Sequence, residues 1–193
     1  CNADGTEILR LGYDQVHTTY PTVTSDGRVV YTRWDYNDRS QMWVQAVFQM
    51  FEDGTNQTEL YGNNSDFPTT LMHTREIPGT VGKYLSIASG HHVYQHGKLV
   101  WIDTSEGRNG DAPVDFVFQD GTRKQSGVDA FGQDGKQYKY PYAFSEDLFL
   151  YSAVKHYSGV NAEFSIYAYD VKTDTEVEFV EAGRGTGATQ IVP

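Results

Sequence analysis

Cysteine is nearly absent from this chain, because Cys1 is the single cysteine among 193 residues. One thiol cannot form an internal disulfide, a cysteine-rich zinc site or the two thioether bonds of a c-type haem, which needs a Cys-x-x-Cys-His run. Disulfide frameworks, cysteine-based zinc sites and covalently attached haem are therefore excluded within this chain.

Long hydrophobic runs and excess positive charge are lacking as well. No segment approaches the roughly 18 consecutive apolar residues that a membrane-spanning helix requires, so no membrane span is expected. The chain has 15 Lys and Arg against 26 Asp and Glu, which gives a formal net charge of -11. This charge would repel a phosphate backbone, so nucleic acid is not an expected partner.

Sequence motifs for catalysis are missing. The chain has no Gly-x-Ser-x-Gly elbow, and its glycine-rich run at 183–187 lacks the Gly-x-Gly-x-x-Gly spacing of a dinucleotide-binding turn. We therefore assign no catalytic residue, and a metal ion is the one cofactor that the sequence leaves open.

Aromatic and turn-forming residues, in contrast, are plentiful, with 14 Tyr, 10 Phe and 19 Gly. Runs such as Arg28–Trp34 and Phe164–Tyr169 have the length and composition of β-strands. Asp-Gly pairs, which are typical of tight turns, lie between such runs, and no long segment spaces its apolar residues as a helix does. These features predict an all-β protein.

An aromatic–proline pair recurs three times, at Tyr20-Pro21, Phe67-Pro68 and Tyr140-Pro141. Each pair is followed by a polar turn, an apolar strand, a linker and a second strand, which indicates a repeating unit. The sequence predicts that one strand is equivalent in all three units: Arg28–Trp34, Lys83–Ser89 and Leu148–Val154.

A period in the forties with about four strands in each unit is typical of β-propeller blades. Three blades cannot close a ring, so we expect one segment of a longer propeller, with a small self-contained β domain as the alternative. The predicted blades span residues 20–66, 67–139 and 140–193, after the end of a preceding blade at 1–19. The second is longer than the first, which predicts an insertion at about 107–139, including a short hairpin at Val114–Phe118.

The first residues repeat a turn motif found later in the chain, because Asp4-Gly5-Thr6 matches Asp53-Gly54-Thr55. This match predicts that the chain begins near the outer end of a blade. Cys1 can be interpreted as the lipidated first residue of a mature lipoprotein. The position of the turn motif favours the other interpretation, that the chain starts within a longer protein.

Several segments resemble known propellers. The run Asn2–Leu11, followed by Pro21 and residues 25–31, resembles the blade signature of TolB-type (WD40-like) propellers. Segments at 31–39, 61–65, 75–79, 90–92 and 140–146 together resemble the propeller region of proteins similar to the hydrazine synthase alpha subunit. This resemblance implies a propeller and a periplasmic or extracellular location. It implies hydrazine chemistry much less, because the c-type haems of that family lie outside such blades.

Three histidines lie within six positions, at His91, His92 and His96. Neutral imidazole is a common ligand of zinc, copper and iron. Neighbours on a strand point to opposite faces, so only a bend or a tight hairpin at 95–97 would bring His92 close to His96. The sequence leaves two interpretations open: a metal site, which His73 could complete, or structural and solvent-exposed histidines.

The segment from Arg33 to Arg39 combines cations, carboxylates and aromatic rings directly after a predicted strand. Loops in this position bind partners in propellers, and the alternative is an internal network in which Arg33 or Arg39 pairs with Asp35 or Asp38. We take as candidate binding residues six from this segment, together with one from the next unit: Arg33, Trp34, Asp35, Tyr36, Asp38, Arg39 and Arg75.

The sequence thus favours a non-catalytic propeller module that binds a partner protein or positions a neighbouring domain of the same polypeptide. The alternative is a fragment of a multihaem enzyme similar to the hydrazine synthase alpha subunit, with its haem-binding parts outside this chain. Cys-x-x-Cys-His motifs in the full-length gene would distinguish the two hypotheses.

Overall fold

Twelve β-strands form the regular structure in the computed structural model, which describes residues 1–35, 44–119, 131–154, 162–182 and 187–188. The one helical element in these ranges is a single turn of 3-10 helix at Thr104–Glu106. The all-β prediction is confirmed for this part of the chain. None of its helices has the length and apolar character needed to cross a membrane.

The strands follow one another as three antiparallel meanders of four strands. The first meander contains β1 (His17–Val23), β2 (Val29–Trp34), β3 (Gln45–Met50) and β4 (Thr58–Tyr61). The second contains β5 (Thr70–Glu76), β6 (Lys83–Ser89), β7 (Lys98–Asp103) and β8 (Val114–Phe116). The third contains β9 (Gln137–Ala143), β10 (Leu148–Val154), β11 (Ser165–Asp170) and β12 (Thr175–Val180).

The meanders are grouped into two hydrogen-bonded sheets. A single parallel pairing between Gln45 and Thr70 joins the first two meanders into one eight-stranded sheet, and the third meander is a separate four-stranded sheet. Because this pairing is so short, the repeating unit is the antiparallel meander.

The predicted equivalent strands are confirmed as the second strand of each meander. Strands β6 and β10 have the predicted bounds, and β2 begins one residue later than predicted. The predicted hairpin at Val114–Phe118 is a single strand, β8, which pairs with β7 and completes the second meander.

The aromatic–proline pairs are not equivalent in all three meanders. Tyr20-Pro21 lies inside β1 and Tyr140-Pro141 inside β9, whereas Phe67-Pro68 precedes β5. Among the described residues, β1 pairs with β2 alone, and β9 pairs with β10 and, through an isolated bridge at Tyr138, with Gly97. A strand edge that is unpaired tolerates proline, because that edge needs no amide donor. Within β5 the equivalent position is His73-Thr74.

The Asp-Gly-Thr match is reproduced in three dimensions. Asp4 and Asp53 each accept hydrogen bonds from the backbone amide and the hydroxyl of the threonine two residues later, at 2.9 and 2.7 Å in both turns. The intervening Gly5 and Gly54 have φ angles of 81° and 82°, in the left-handed region that favours glycine. The two turns therefore have the same conformation.

Most of the hydrophobic core fills the two spaces between successive meanders, and a smaller cluster that includes Tyr31 packs on the first meander. One cluster combines residues of β2–β4 with residues of β5–β7, and another combines β5–β7 with β9–β11. The largest completely buried rings belong to four tyrosines, Tyr31, Tyr61, Tyr138 and Tyr151. Tyr61 donates its hydroxyl hydrogen bond to the backbone oxygen of Gly110 at 2.6 Å, so a protein group satisfies its polar end.

Candidate functional site

Among the first strands of the three meanders, β5 contacts both β1 and β9, and each of the three is interrupted in its pairing by a β-bulge. At each bulge a residue other than glycine adopts a left-handed backbone: Tyr20, His73 and Tyr140 have φ angles of 54°, 54° and 51°. This conformation costs a residue with a Cβ atom about 1–2 kcal/mol. The same unfavourable conformation is therefore repeated at three corresponding positions.

These three bulge residues form a row of rings, which we call the ring row. The centroid of the His73 ring lies 4.2 Å from that of Tyr20 and 4.1 Å from that of Tyr140. His73 is 5% exposed, and its Nε2 atom is buried without a hydrogen-bond partner among the described residues. A buried polar atom in that state is costly, so the position of this imidazole needs an explanation beyond packing.

The electrostatic surroundings keep the His73 imidazole neutral. Burial, together with the nearby positive charges of Lys139 and Arg75, lowers the pKa of His73 to about 3. Burial also raises the pKa of Tyr20, with Tyr140 adding to the effect. Tyr20 and His73 are therefore uncharged near neutral pH.

Beyond the ring row, the ends of β1, β5 and β9 border an open cavity of about 490 Å³, which we call the groove. Its lining includes two prolines, hydroxyl-bearing side chains, one aromatic ring and one cation: Pro21, Pro78, Thr22, Thr24, Ser25, Tyr142 and Arg75. The Arg75 guanidinium lies 5.2 Å from the Tyr142 ring centroid. Glu76 also lines the groove, but its carboxylate accepts a hydrogen bond from the Ser25 amide at 2.6 Å.

Arg75 has no carboxylate within ion-pair distance among the described residues, although it lies in an acidic chain. Cation–π contact with Tyr142 holds its side chain beside the groove. Among the candidate binding residues that the structure describes, Arg75 is the one that lines this cavity.

The predicted pairing of Arg33 with Asp35 is confirmed. Arg33 Nε lies 2.7 Å from Asp35 Oδ2 and 2.9 Å from Asp14 Oδ1. Both contacts are ion pairs, and in neither is the Nε–H group aligned for a hydrogen bond. The Arg33 guanidinium also lies 5.0 Å from the Phe48 ring centroid. The remaining predicted residues of this segment, Tyr36, Asp38 and Arg39, lie outside the described residues.

Asp14 is the more buried partner of Arg33, because its side chain is 3% exposed against 26% for Asp35. Replacing Asp14 with asparagine should lower the free energy of unfolding by about 1–3 kcal/mol, since Arg33 loses its more buried counter-charge. Asp35→Asn should cost less, about 0.5–1 kcal/mol, because Asp14 still faces the guanidinium. Urea unfolding of both variants measures this order, and a larger loss for Asp35→Asn would contradict it.

Trp34 and His91, predicted as parts of two different sites, contact each other. Their ring centroids are 4.8 Å apart. The ring of His17, on β1, lies 5.4 Å from the ring of Trp34, on β2. His91 is buried, its Nδ1 lies 3.2 Å from the Gln45 Nε2 atom, and the His92 ring is 4.2 Å away. These rings pack around the starts of β1 and β3 and the ends of β2 and β6.

His96 lies in the connection between β6 and β7 and contacts Gln137 at the start of β9. Its Nδ1 atom lies 2.9 Å from Gln137 Oε1, and its backbone oxygen accepts hydrogen bonds from Ser89 Oγ at 2.8 Å and Gln133 Nε2 at 3.0 Å. Within the described ranges, no group of three or more His, Cys, Asp or Glu side chains could hold a metal ion. A metal ion bound by His91, His92 and His96 stays a prediction.

Sequence reasoning missed the ring row as a unit. It singled out Tyr20 and Tyr140 through the proline that follows each, and it considered His73 only as an additional metal ligand. The three residues share a position at a β-bulge, and at His73 no following proline marks that position in the sequence. Asp14 and Tyr142 were missed because their partners come from other parts of the chain.

Comparisons with known proteins give a fold but no family. No protein-family model matches the chain, and no curated protein matches it. A solved structure of Kuenenia stuttgartiensis hydrazine synthase matches with a TM-score of 0.67 and 18% sequence identity, over 91% of this chain and 21% of that chain. The chain thus shares a fold with about a fifth of that subunit.

Proposed function

We propose that this chain is a three-blade segment of a β-propeller that works as a binding module of a periplasmic or extracellular protein. Three successive four-stranded meanders support the blade assignment, because their first strands lie side by side and carry the same bulge. The structural match to part of a hydrazine synthase chain is consistent with this architecture. In this proposal the repeats are of the TolB (WD40-like) type.

An apolar face of the third meander that the described residues leave partly exposed also supports a longer propeller. A row of apolar side chains crosses its four strands in register, formed by Tyr142, Leu150, Ala168 and Val177. Val177 is 54% exposed and the nearby Phe179 is 68% exposed. Equivalent spaces between the three meanders are filled, so a further sheet would cover this face as the next blade.

The binding surface in this proposal is the groove, and Arg75 is the observation that carries it. A partly buried cation without a carboxylate partner among the described residues favours a ligand that supplies negative charge or carbonyl oxygens. The open shape, the two flanking prolines and the hydroxyl-bearing side chains suit an extended segment of a partner protein or of a neighbouring domain. We therefore propose an acidic or carbonyl-rich polypeptide segment as the ligand.

Titration with an acetylated, amidated tetraglutamate peptide tests this function by NMR on the 15N-labelled chain. We expect saturable shifts of the backbone amides of Thr22, Ser25 and Tyr142, because these residues line the groove. Arg75→Gln should weaken the apparent affinity at least tenfold, whereas Lys172→Gln, which removes an exposed cation paired with Asp147, should not.

A tetraglutamine peptide is the matched ligand control and should bind more weakly. Equal binding of the two peptides, or unchanged binding by Arg75→Gln, would remove the groove as an acidic-segment site. Shifts confined to residues far from the groove would have the same consequence.

The second candidate is a propeller segment of a multihaem enzyme similar to hydrazine synthase, which the structural match favours. The residues present do not fit a c-type haem, because Cys1 is the single cysteine of the chain and is exposed. Any haem of such an enzyme would be held outside this chain. Sequencing the full-length gene for Cys-x-x-Cys-His motifs decides between the two candidates.

A further inference from the structure

An open cavity of about 440 Å³ lies between the second and third meanders, and we call it the acidic cavity. Trp101 on β7 and Asp115 on β8 line it and are paired in register, so their side chains lie on the same face of the sheet. That face is turned toward the third meander, because the Trp101 ring lies 5.2 Å from the Phe149 ring on β10. Glu146, in the connection from β9 to β10, lines the cavity from the other side. Two meanders therefore contribute its walls.

The charged groups around the acidic cavity are mostly negative. Its lining includes four carboxylates and one ammonium group, an excess of three negative charges: Asp103, Glu106, Asp115, Glu146 and Lys83. Lys83 pairs with Glu146 at 2.5 Å, so its charge is already matched. Glu106 is exposed and has no ion-pair or hydrogen-bond partner among the described residues. Negative charge thus remains at the cavity that the cations of the described residues do not neutralise.

The rest of the lining is apolar and aromatic. Ile77, Ile102, Ala112 and Pro113 line the acidic cavity together with the partly buried Trp101. Such walls do not suit a metal ion, which needs several oxygen ligands around it. Within the described ranges, no group of three or more His, Cys, Asp or Glu side chains could hold one. A cation that carries its own apolar surface fits both parts of the lining.

We propose that the acidic cavity binds a small organic cation of the quaternary alkylammonium class. The alkyl groups of such a cation contact the apolar walls and the Trp101 ring, and its charge faces the carboxylates. Tryptophan gives the strongest cation–π contact among the aromatic side chains, and a quaternary nitrogen has no N–H groups that must keep hydrogen bonds to water. The acidic cavity shares no lining residue with the groove, so this site does not depend on the proposed function.

NMR titration of the 15N-labelled chain with choline chloride tests the proposal through the indole N–H resonance of Trp101, which Trp101→Phe identifies. We expect a saturable shift of this resonance. Dimethylbutanol, the neutral isostere in which carbon replaces the choline nitrogen, is the matched ligand control and should bind about tenfold more weakly. Equal binding of the two ligands would overturn the proposal, because it would show an apolar pocket without selection for charge. A linear shift equal to that with sodium chloride would also overturn it.

Variants assign the binding to the acidic cavity, with the backbone amides of Glu106 and Asp115 as the readout. Trp101→Leu should weaken the apparent affinity for choline about tenfold, because the cation–π contact is lost. Glu106→Gln should weaken it about twofold to fivefold, as expected for one exposed charge. Glu52→Gln removes an exposed carboxylate from the turn between β3 and β4 and should leave the affinity unchanged.

Unchanged affinity in Trp101→Leu would contradict the site. Equal weakening by Glu106→Gln and Glu52→Gln would also contradict it, because it would indicate general attraction to an acidic chain. The comparison of choline with dimethylbutanol on the parent chain decides the proposal even if Trp101→Leu fails to fold.

Discussion

Replacing Gly97 with alanine is expected to lower the free energy of unfolding by about 3 kcal/mol, because a methyl group at this position would overlap with backbone atoms. A Cβ atom built on Gly97 would lie 2.2 Å from the backbone oxygen of Ala88 and 3.0 Å from its carbonyl carbon. Gly97 also exchanges two backbone hydrogen bonds with Tyr138, of 3.0 and 2.9 Å. The substitution would thus disturb the junction between the second and third meanders. Urea unfolding followed by tyrosine and tryptophan fluorescence measures the loss.

Gly27→Ala is the matched control for this prediction. Gly27 has a φ angle of 83°, and no atom lies within 4 Å of the position of its Cβ atom. Its replacement adds backbone strain without a clash and should cost about 1 kcal/mol. Equal losses for the two variants would show that the close approach at Gly97 is relieved by a small shift of the β6–β7 connection.

The strands were predictable from sequence because their signals are local. The apolar runs that became β6 and β10 are bounded by turn residues, and their predicted bounds match the structure. The turns at Asp4 and Asp53 were also predictable, since an aspartate side chain bonds to the backbone two residues later and glycine accepts the left-handed φ angle. These interactions depend only on near neighbours in sequence.

The ring row was not predictable in the same way. A bulge shifts the register between two strands, and a residue such as His73 carries no sequence mark that a bulge will form there. Its ring contacts, Tyr20 and Tyr140, come from the other two meanders. Only the three-dimensional arrangement of β1, β5 and β9 brings these residues together.

The candidate binding residues illustrate the same difference. The pair Arg33 and Asp35 could be predicted because the two residues are close in sequence, whereas Asp14 reaches Arg33 only through the pairing of β1 with β2. Arg75 was named from sequence, but its partner Tyr142 lies on β9. Short-range electrostatic pairs are therefore accessible to sequence reasoning, and surfaces shared by several meanders are not.

Lowering the pH from 6.5 to 4.5 is expected to destabilise the chain by roughly 2–3 kcal/mol, mainly through His73. The pKa of His73 falls from 6.5, its ordinary value, to about 3 in the folded chain, because burial and the charges of Lys139 and Arg75 disfavour the imidazolium. Below pH 6.5 the unfolded chain therefore binds a proton that the folded chain does not. Each such proton lowers the free energy of unfolding by about 1.4 kcal/mol per pH unit.

This stability is fully present above pH 6.5 and is lost progressively as the pH falls toward about 3, the folded pKa of His73. The pKa of His96 is also lowered by burial, so His96 adds to the loss of stability at low pH with the same sign.

His73→Phe keeps a ring between Tyr20 and Tyr140 but cannot bind a proton at this position. The free energy of unfolding of this variant should therefore decrease less steeply as the pH falls, and the difference in slope should correspond to about one proton. Its stability at pH 7 should stay near that of the parent chain, since it also removes the unpartnered Nε2 atom. Urea unfolding at half-unit pH intervals, with the exposed His92→Phe as control, measures the slopes. Parallel curves for the parent chain and His73→Phe would show that His73 is not the group that makes the fold sensitive to acid.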